Sequence, residues 1–397
     1  MHIQKWIQAI GVLLLFLACF VYISQAQEQA PSWQVRNIAM SDDGRYLAVQ
    51  SGVKGIEYPN ADYEIWIYDL ENILSPPQFL AGDIAPSGKM IFSPNHRYLA
   101  AASLHELSIF DIEKGVTILN LQRTSTDPPT DFGRTSFSPD SNYIMSFSNW
   151  WFRDSKMSIW NIHTGQLIHA IDAQRGRERV YYTWLSPDWS QLARWSGPSE
   201  ESNHALIYEF DIENGLGQAL AHLTENGRTG VFSPDGSLFA VVTEEADIAG
   251  DVKVLVYETD TWESITSKLT SAPGCGARNR LRFSHNNSFL LLVYKCLFDE
   301  WTWVWNIATD ELVIDALNYA YSPASFTSND GFMIGRGESG IAVWNIKSNF
   351  EIAGYPGGAA AIHPNGELMA SIGPDGRVWI WNIKSKELLM ILPVPQL

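Results

Sequence analysis

An all-β chain built from repeats is what this sequence predicts, and three observations predict it. The first is a turn of Ser-Pro-Asp-Gly type behind an apolar residue. It occurs at Ser41-Asp42-Asp43-Gly44, Ser93-Pro94-Asn95-His96, Ser138-Pro139-Asp140-Ser141, Ser186-Pro187-Asp188-Trp189, Ser233-Pro234-Asp235-Gly236, Ser284-His285-Asn286-Asn287, Ser328-Asn329-Asp330-Gly331 and His363-Pro364-Asn365-Gly366. The second is an aromatic residue followed by an acid or amide, at Tyr68-Asp69, Phe110-Asp111, Trp160-Asn161, Phe210-Asp211, Tyr257-Glu258, Trp305-Asn306, Trp344-Asn345 and Trp381-Asn382. The third is their strict alternation at a period of about 45 residues, the mark of a repeat architecture with four strands per unit. The expected fold is therefore a β-propeller of eight four-stranded blades. Seven is the alternative if the first unit, with its long excursion over residues 52–64, is irregular.

The last unit shows how each element follows from its residues. Residues 358–362 supply a short first strand. The turn His363-Pro364-Asn365-Gly366 reverses the chain, since Pro presets φ, Asn bonds its own backbone and Gly accepts positive φ. An apolar second strand covers residues 367–372, and Gly373-Pro374-Asp375-Gly376 turns again. Residues 377–383 then alternate with period two, Val378, Ile380 and Asn382 on one face and Trp379, Trp381 and Ile383 on the other, a strand signal. A turn at Lys384-Ser385-Lys386 leads to the outer strand over residues 388–392. Both faces of this sheet are apolar, and about thirty residues bury too little surface to offset chain entropy. It must stack on copies of itself. The first unit carries its own inner strand (residues 34–40) and the last its own outer strand, so the ring is expected to close by packing, without a shared strand.

These residues resemble the tryptophan–aspartate (WD) repeat propellers, whose blades carry a Ser-Pro-Asp-Gly-like turn and a Trp-Asp pair ahead of a Thr-Gly turn. The resemblance covers residues 32–392 and rests on rhythm more than identity. No Gly-His dipeptide occurs, and Asn replaces Asp in four of the eight pairs. The chain looks like a divergent, bacterial-style exported member. The resemblance implies a binding scaffold and names no partner.

Outside the repeats, Lys5 and the apolar run over residues 7–23, followed by Ser24-Gln25-Ala26, read as a secretory signal peptide over residues 1–26. An uncleaved anchor is the alternative, and a lipidated Cys19 a third. Residues 27–32 are a short linker and residues 33–393 the single propeller. The expected location is extracytoplasmic: secreted, periplasmic or cell-surface. Contact with a membrane is expected only through the N-terminal segment, if it stays uncleaved. The chain carries 27 basic and 44 acidic residues, a net charge of −17. That balance opposes a nucleic-acid partner and favours solubility. Cys275 and Cys296 lie equally far from the turn at His285-Asn286, so they should face each other across a hairpin and form a disulfide.

Catalytic constellations are absent from the sequence: no Gly-x-Ser-x-Gly, His-Glu-x-x-His, phosphate loop or Cys-x-x-Cys occurs. No catalytic residue, metal or cofactor is expected, and the chain is read as a non-enzyme. The histidines scatter among blades, mostly near turns. The long second-to-third-strand loops, over residues 52–64, 149–156, 197–204 and 243–251, share one face with the blade-to-blade connections, and binding usually lives on such loops. Trp150, Trp151 and Phe152 are three consecutive large residues in one of them, which cannot all point inward. They are an aromatic anchor, or a loop folded over its neighbour. Arg134, Arg175, Arg177, Arg179, Arg278 and Arg280 lie on or beside the connections, while the long loops are acidic. A basic channel mouth inside an acidic rim would capture carboxylates, the preferred partners of Arg. Arginines that merely tie the blades together are the plainer reading. The expected function is a non-catalytic scaffold for a protein or peptide, one that can be anionic. The alternatives are an exported propeller enzyme (lactonase-like or quinone-dependent) using the central channel, and a glycan-binding lectin.

Overall fold

The computed structural model describes residues 33–393 apart from 54–62, 85–88, 103–105, 123–131, 133, 149–155, 173, 176–177, 198–203, 224–226, 245–250, 272–274, 297–299, 318–324, 328, 338–339, 349 and 359. The expected signal segment and linker lie outside the described residues. Among those described, no helix is long and apolar enough to cross a membrane.

Eight antiparallel sheets follow one another along the chain, each a meander in sequence order. Their inner strands are Trp33–Met40, Lys89–Phe92, Arg134–Phe137, Glu178–Leu185, Gly227–Phe232, Cys275–Phe283, Ser325–Phe326 and Ala360–Ile362. The inner strands of blades 1 and 2, 2 and 3, 4 and 5, and 5 and 6 lie side by side, and those of blades 8 and 1 also meet. The fold is an eight-bladed β-propeller. In blade 8 the strands fall at Ala360–Ile362, Leu368–Ile372, Val378–Asn382 and Leu388–Ile391, within two residues of the sequence expectation at each end. Blade 4 departs from the four-strand rule. The two-residue strand Gln174–Arg175 adds to the channel edge of its inner strand and makes a fifth.

No blade has a core of its own. Each of eight apolar clusters draws on two successive blades. Between blades 4 and 5 Trp195, Ala205 and Ile207 meet Phe232, Phe239 and Trp262. The closing cluster sets Leu47, Val49, Trp66 and Tyr68 of blade 1 against Ala370, Val378, Ile380 and Leu392 of blade 8. The other face of blade 8, with Trp381 and Ile383, packs on Ile334 and Val343 of blade 7. The period-two alternation thus feeds two different interfaces from one strand. Two hydrogen bonds complete the seam: the Val35 N–H donates to Gly376 O (3.0 Å) and the Tyr68 hydroxyl to Pro393 O (2.7 Å). No strand is shared.

The first anchor is a repeated hydrogen-bond device. The hydroxyls of Ser41, Ser138, Ser186 and Ser233 donate to Asp43, Asp140, Asp188 and Asp235 at 2.5–2.7 Å. Ser93 and Ser284 do the same to Asn95 and Asn286. Each carboxylate or amide oxygen then accepts the N–H two residues on, as Asp235 does from Ser237 (2.9 Å). The serine oxygen accepts the N–H five residues on, as Ser233 does from Leu238 (2.9 Å). Asp and Asn are interchangeable because only an oxygen acceptor is required. The seventh turn corrects the sequence reading by one residue. Thr327, not Ser328, is its anchor, since the Thr327 hydroxyl donates to Asn329 (2.7 Å) and accepts the Phe332 N–H (3.1 Å). A threonine hydroxyl does a serine's work there, which a search for serine misses.

The fourth residue of every turn is left-handed: Gly44, His96, Ser141, Trp189, Gly236, Asn287, Asp330 and Gly366 all have φ between 51° and 79°. Glycine is free of strain there. The other five are tolerated because each meets the preceding blade. His96 contacts Asp43 (3.0 Å), Ser141 accepts the Asn95 N–H (3.1 Å), and Asp330 accepts the His285 and Asn286 N–H groups (both 2.9 Å). Asn287 reaches Ser237, and Trp189 packs with Met145 and Phe147. At Gly44 a Cβ would lie 2.2 Å from the His363 ring, so the preceding blade fills that space instead. The turns therefore form a ring of blade-to-blade contacts on one face, called here the turn face.

The second anchor works the same way. Asn161 Oδ1 accepts from His163 and Thr164, Asp211 from Glu213 and Asn214, and Asn306 from Ala308 and Thr309. Where Asp stands, Arg from the first anchor can pair with it, as in Arg45–Asp69 (3.0 Å) and Arg97–Asp111 (2.8 Å).

Two predictions follow from this framework. Partial burial raises the pKa of the turn aspartates, but the serine hydroxyl and backbone N–H groups outweigh it and hold Asp43, Asp140 and Asp188 below the ordinary 3.8, and Asp235 at about 2. A folded-state pKa below the unfolded one gives stability that is full above the unfolded value and lost as pH falls through the folded one. Urea midpoints should therefore fall between pH 4 and pH 2. Replacing all four by Asn, as blades 2, 6, 7 and 8 already have, should flatten that fall while preserving the fold. Ser233→Ala, which removes a buried hydroxyl with two partners, should cost about 1–3 kcal/mol in chemical denaturation.

Cys275 stands directly opposite Cys296 in the ladder of blade 6. Antiparallel partners have Cα atoms about 4.5–5.5 Å apart, inside the disulfide range. In an oxidising medium the two should be linked, closing a loop worth about 3 kcal/mol. Peptide mapping without reductant should recover the Cys275–Cys296 pair, and recovery of two free thiols would refute it.

Candidate binding face

Inner strands run from one face of the disc to the turn face, and their starting ends mark the opposite, loop-rich face. On that face lie the blade-to-blade connections and the second-to-third-strand loops. The arginines singled out in the sequence divide as follows. Arg134 opens the inner strand of blade 3 and pairs with Phe147 in the ladder. Arg175 and Arg179 are not in an open connection. They belong to a small hairpin, with Gln174 opposite Arg179 and Arg175 opposite Glu178. Its strand Gln174–Arg175 sits on the channel edge of blade 4, which brings this segment further into the mouth than a plain connection would. Arg177 lies outside the described residues, as do Trp150, Trp151 and Phe152. Arg278 and Arg280 belong to the inner strand of blade 6.

Register irregularities reveal a second pattern. In blade 1 Val35 pairs with Ser51 and Asn37 with Gln50, so Arg36 is the extra residue of a β-bulge. In blade 5 Gly227 pairs with Thr243 and Thr229 with Val242, leaving Arg228 extra. In blade 6 Gly276 pairs with Lys295 and Arg280 with Val293, and Arg278 lies within the interruption. Blade 4 bulges at Tyr181. Bulges bend a strand and re-aim side chains. Three of these four place an arginine in the loop-face half of an inner strand.

Arg36 was not among the arginines the sequence singled out, because a bulge is defined by the partner strand and leaves no local signal. Its Nε is buried without a hydrogen-bond partner. Beside the bulge, Gln50 is 0 % exposed and neither its amide oxygen nor its amide nitrogen has a partner. Unsatisfied buried polar groups are costly. Arg36 and Gln50 thus make a polar, uncompensated position beside the bulge of blade 1.

The acids of the turn face are different in kind. Asp43, Asp140, Asp188 and Asp235 are engaged by their own turns, and Asp69 and Asp111 by Arg45 and Arg97. These six carboxylates are thus committed to turns or to ion pairs. Among the described residues, no group of three or more His, Cys, Asp or Glu side chains gathers that could hold a metal ion.

No family model matches the chain. It is 23% identical to the coronin-like protein of Saccharomyces cerevisiae over 192 residues, 47% of this chain and 28% of that protein. It is 21% identical to protein hir-1 of Neurospora crassa over 274 residues, 61% of this chain and 26% of that one. The chain thus spans about a quarter of the length of these curated relatives. Among solved structures it is similar to the Dos1 propeller (TM-score 0.59, 12% identity, 89% of this chain and 93% of that one). It is also similar to a eukaryotic initiation factor (TM-score 0.54, 19% identity, 83% and 82% covered). These likenesses establish the propeller fold. Together with the alternating anchors they fit a WD-repeat-like propeller. The two curated relatives are fungal and lend no support to a bacterial-style exported member.

Proposed function

We propose that the chain is a non-catalytic scaffold that binds an acidic segment of a protein or peptide across the loop-rich mouth of its propeller. The observation that carries this reading is the set of arginines in the loop-face halves of inner strands and in the blade 4 hairpin. Arg36, Arg228 and Arg278 stand at bulges, and Arg175 and Arg179 in the hairpin on the channel edge. Blades 1 and 5 stand opposite each other in an eight-membered ring. A ligand reaching both must be extended, which suits a polypeptide carrying several carboxylates. Guanidinium groups bind carboxylates in bidentate fashion. Action outside the cytoplasm is part of the proposal and rests on the composition of residues 1–26 alone. No observation among the described residues favours the enzyme or the lectin.

Binding of a fluorescent polyglutamate peptide, followed by anisotropy at low and physiological salt, tests the proposal. Wild-type protein should bind in a salt-sensitive manner. Changing Arg175, Arg177 and Arg179 together to Gln should abolish binding and leave the melting temperature within about 2 °C of wild type, since surface substitutions usually stay within about 0.5 kcal/mol. Arg36→Gln should weaken binding severalfold. A lowered melting temperature with undiminished binding would show the arginines to be ties between blades. Preferential binding of an anionic polysaccharide over the peptide would favour the lectin.

A further inference from the structure

Blade 4 carries a pair of imidazoles that neither the fold nor the proposed binding face uses. His204 opens the third strand, His204–Asp211, and His222 lies next to the end of the outer strand, Gly215–Leu223. Ala205 pairs with Leu223 and Leu206 with His222, so His204 and His222 are diagonal neighbours on one face of the sheet. Ala205 and Leu223 point the other way into the core shared with blade 5. The two rings stand with centroids 4.9 Å apart and planes at 84°. Among the described residues, no hydrogen bond or ion pair engages either ring. The other histidines with described contacts differ: His96 meets Asp43, His163 meets Asn142, His169 meets Ile212 O, His285 meets Asp330 and His363 accepts the Asn365 N–H.

From this geometry we infer that His204 and His222 form a two-imidazole site for a borderline divalent transition metal, of the Zn²⁺, Ni²⁺ or Cu²⁺ class. Imidazole nitrogen is a preferred ligand of these ions. Two imidazoles bound to one tetrahedral ion at about 2.0–2.1 Å have ring centroids about 5 Å apart, close to the spacing observed. Both residues are half-buried or exposed, so an ion has access, and both are carried on hydrogen-bonded strands, which limits the ordering cost of binding. Two protein ligands leave the remaining positions to water, so the site binds reversibly and is not structural. The inference does not depend on the proposed mouth, which lies at the inner strands.

Untagged full-length protein in equilibrium dialysis with ZnCl₂, NiCl₂ and CuCl₂ tests it. Cu²⁺ should bind more tightly than Ni²⁺ or Zn²⁺. Loss of an outer-sphere partner alone typically costs about 10–100-fold in metal affinity, so His204→Gln and His222→Gln should each cost about tenfold or more. His163→Gln, on the turn face, should leave binding unchanged. A second measurement requires only the wild type. Substoichiometric Cu²⁺ should broaden the amide NMR signals of Ala205, Leu206 and Leu223 before that of Thr164. Unaltered binding in both blade 4 variants, no binding at all, or broadening that begins elsewhere would overturn the site.

Discussion

Apolar packing between neighbouring blades is the interaction on which everything else depends. Each strand of a blade presents apolar side chains to both faces, so a single sheet has no inside. Val378 and Ile380 face blade 1 while Trp381 faces blade 7, from one five-residue strand. Only a closed ring leaves neither face exposed, and the closing cluster between blades 8 and 1 is built like the other seven. Closure by side chains rather than by a shared strand leaves the seam with few backbone hydrogen bonds, and the Tyr68 hydroxyl reaching Pro393 O reinforces it.

Polar groups then fix the geometry that packing leaves soft. The turn device of Ser or Thr with Asp or Asn locks each inner hairpin, and its left-handed fourth residue touches the preceding blade. The outcome is a rigid turn face. The opposite face carries the variable loops, the inner-strand bulges and the added hairpin of blade 4. A stiff scaffold on one side and irregular backbone on the other is the division of labour expected of a binding propeller.

Charge follows the same division. Aspartates of the turn face are committed to turns, as Asp235 is, or to arginines, as Asp111 is to Arg97. Arg36, Arg228 and Arg278 lie in the other half of their inner strands, away from the turn face, where bulges interrupt pairing.

Local chemistry made much of the fold legible in the sequence. Turn residues, period-two alternation and the order of two anchors depend on neighbours a few positions apart, so eight blades, the strand limits in blade 8 and the opposition of Cys275 and Cys296 are legible in the sequence. The anchor at Thr327 was missed only because a different hydroxyl serves there. What tertiary structure alone decided is where pairing breaks. A bulge exists only relative to a partner strand, so Arg36 looked like any strand residue, and Arg175 looked like part of a connection until Glu178 was found opposite it. The pairing of His204 with His222 was hidden for the same reason. Their eighteen-residue separation means nothing until the bulged ladder between the third and outer strands of blade 4 sets which residues lie side by side.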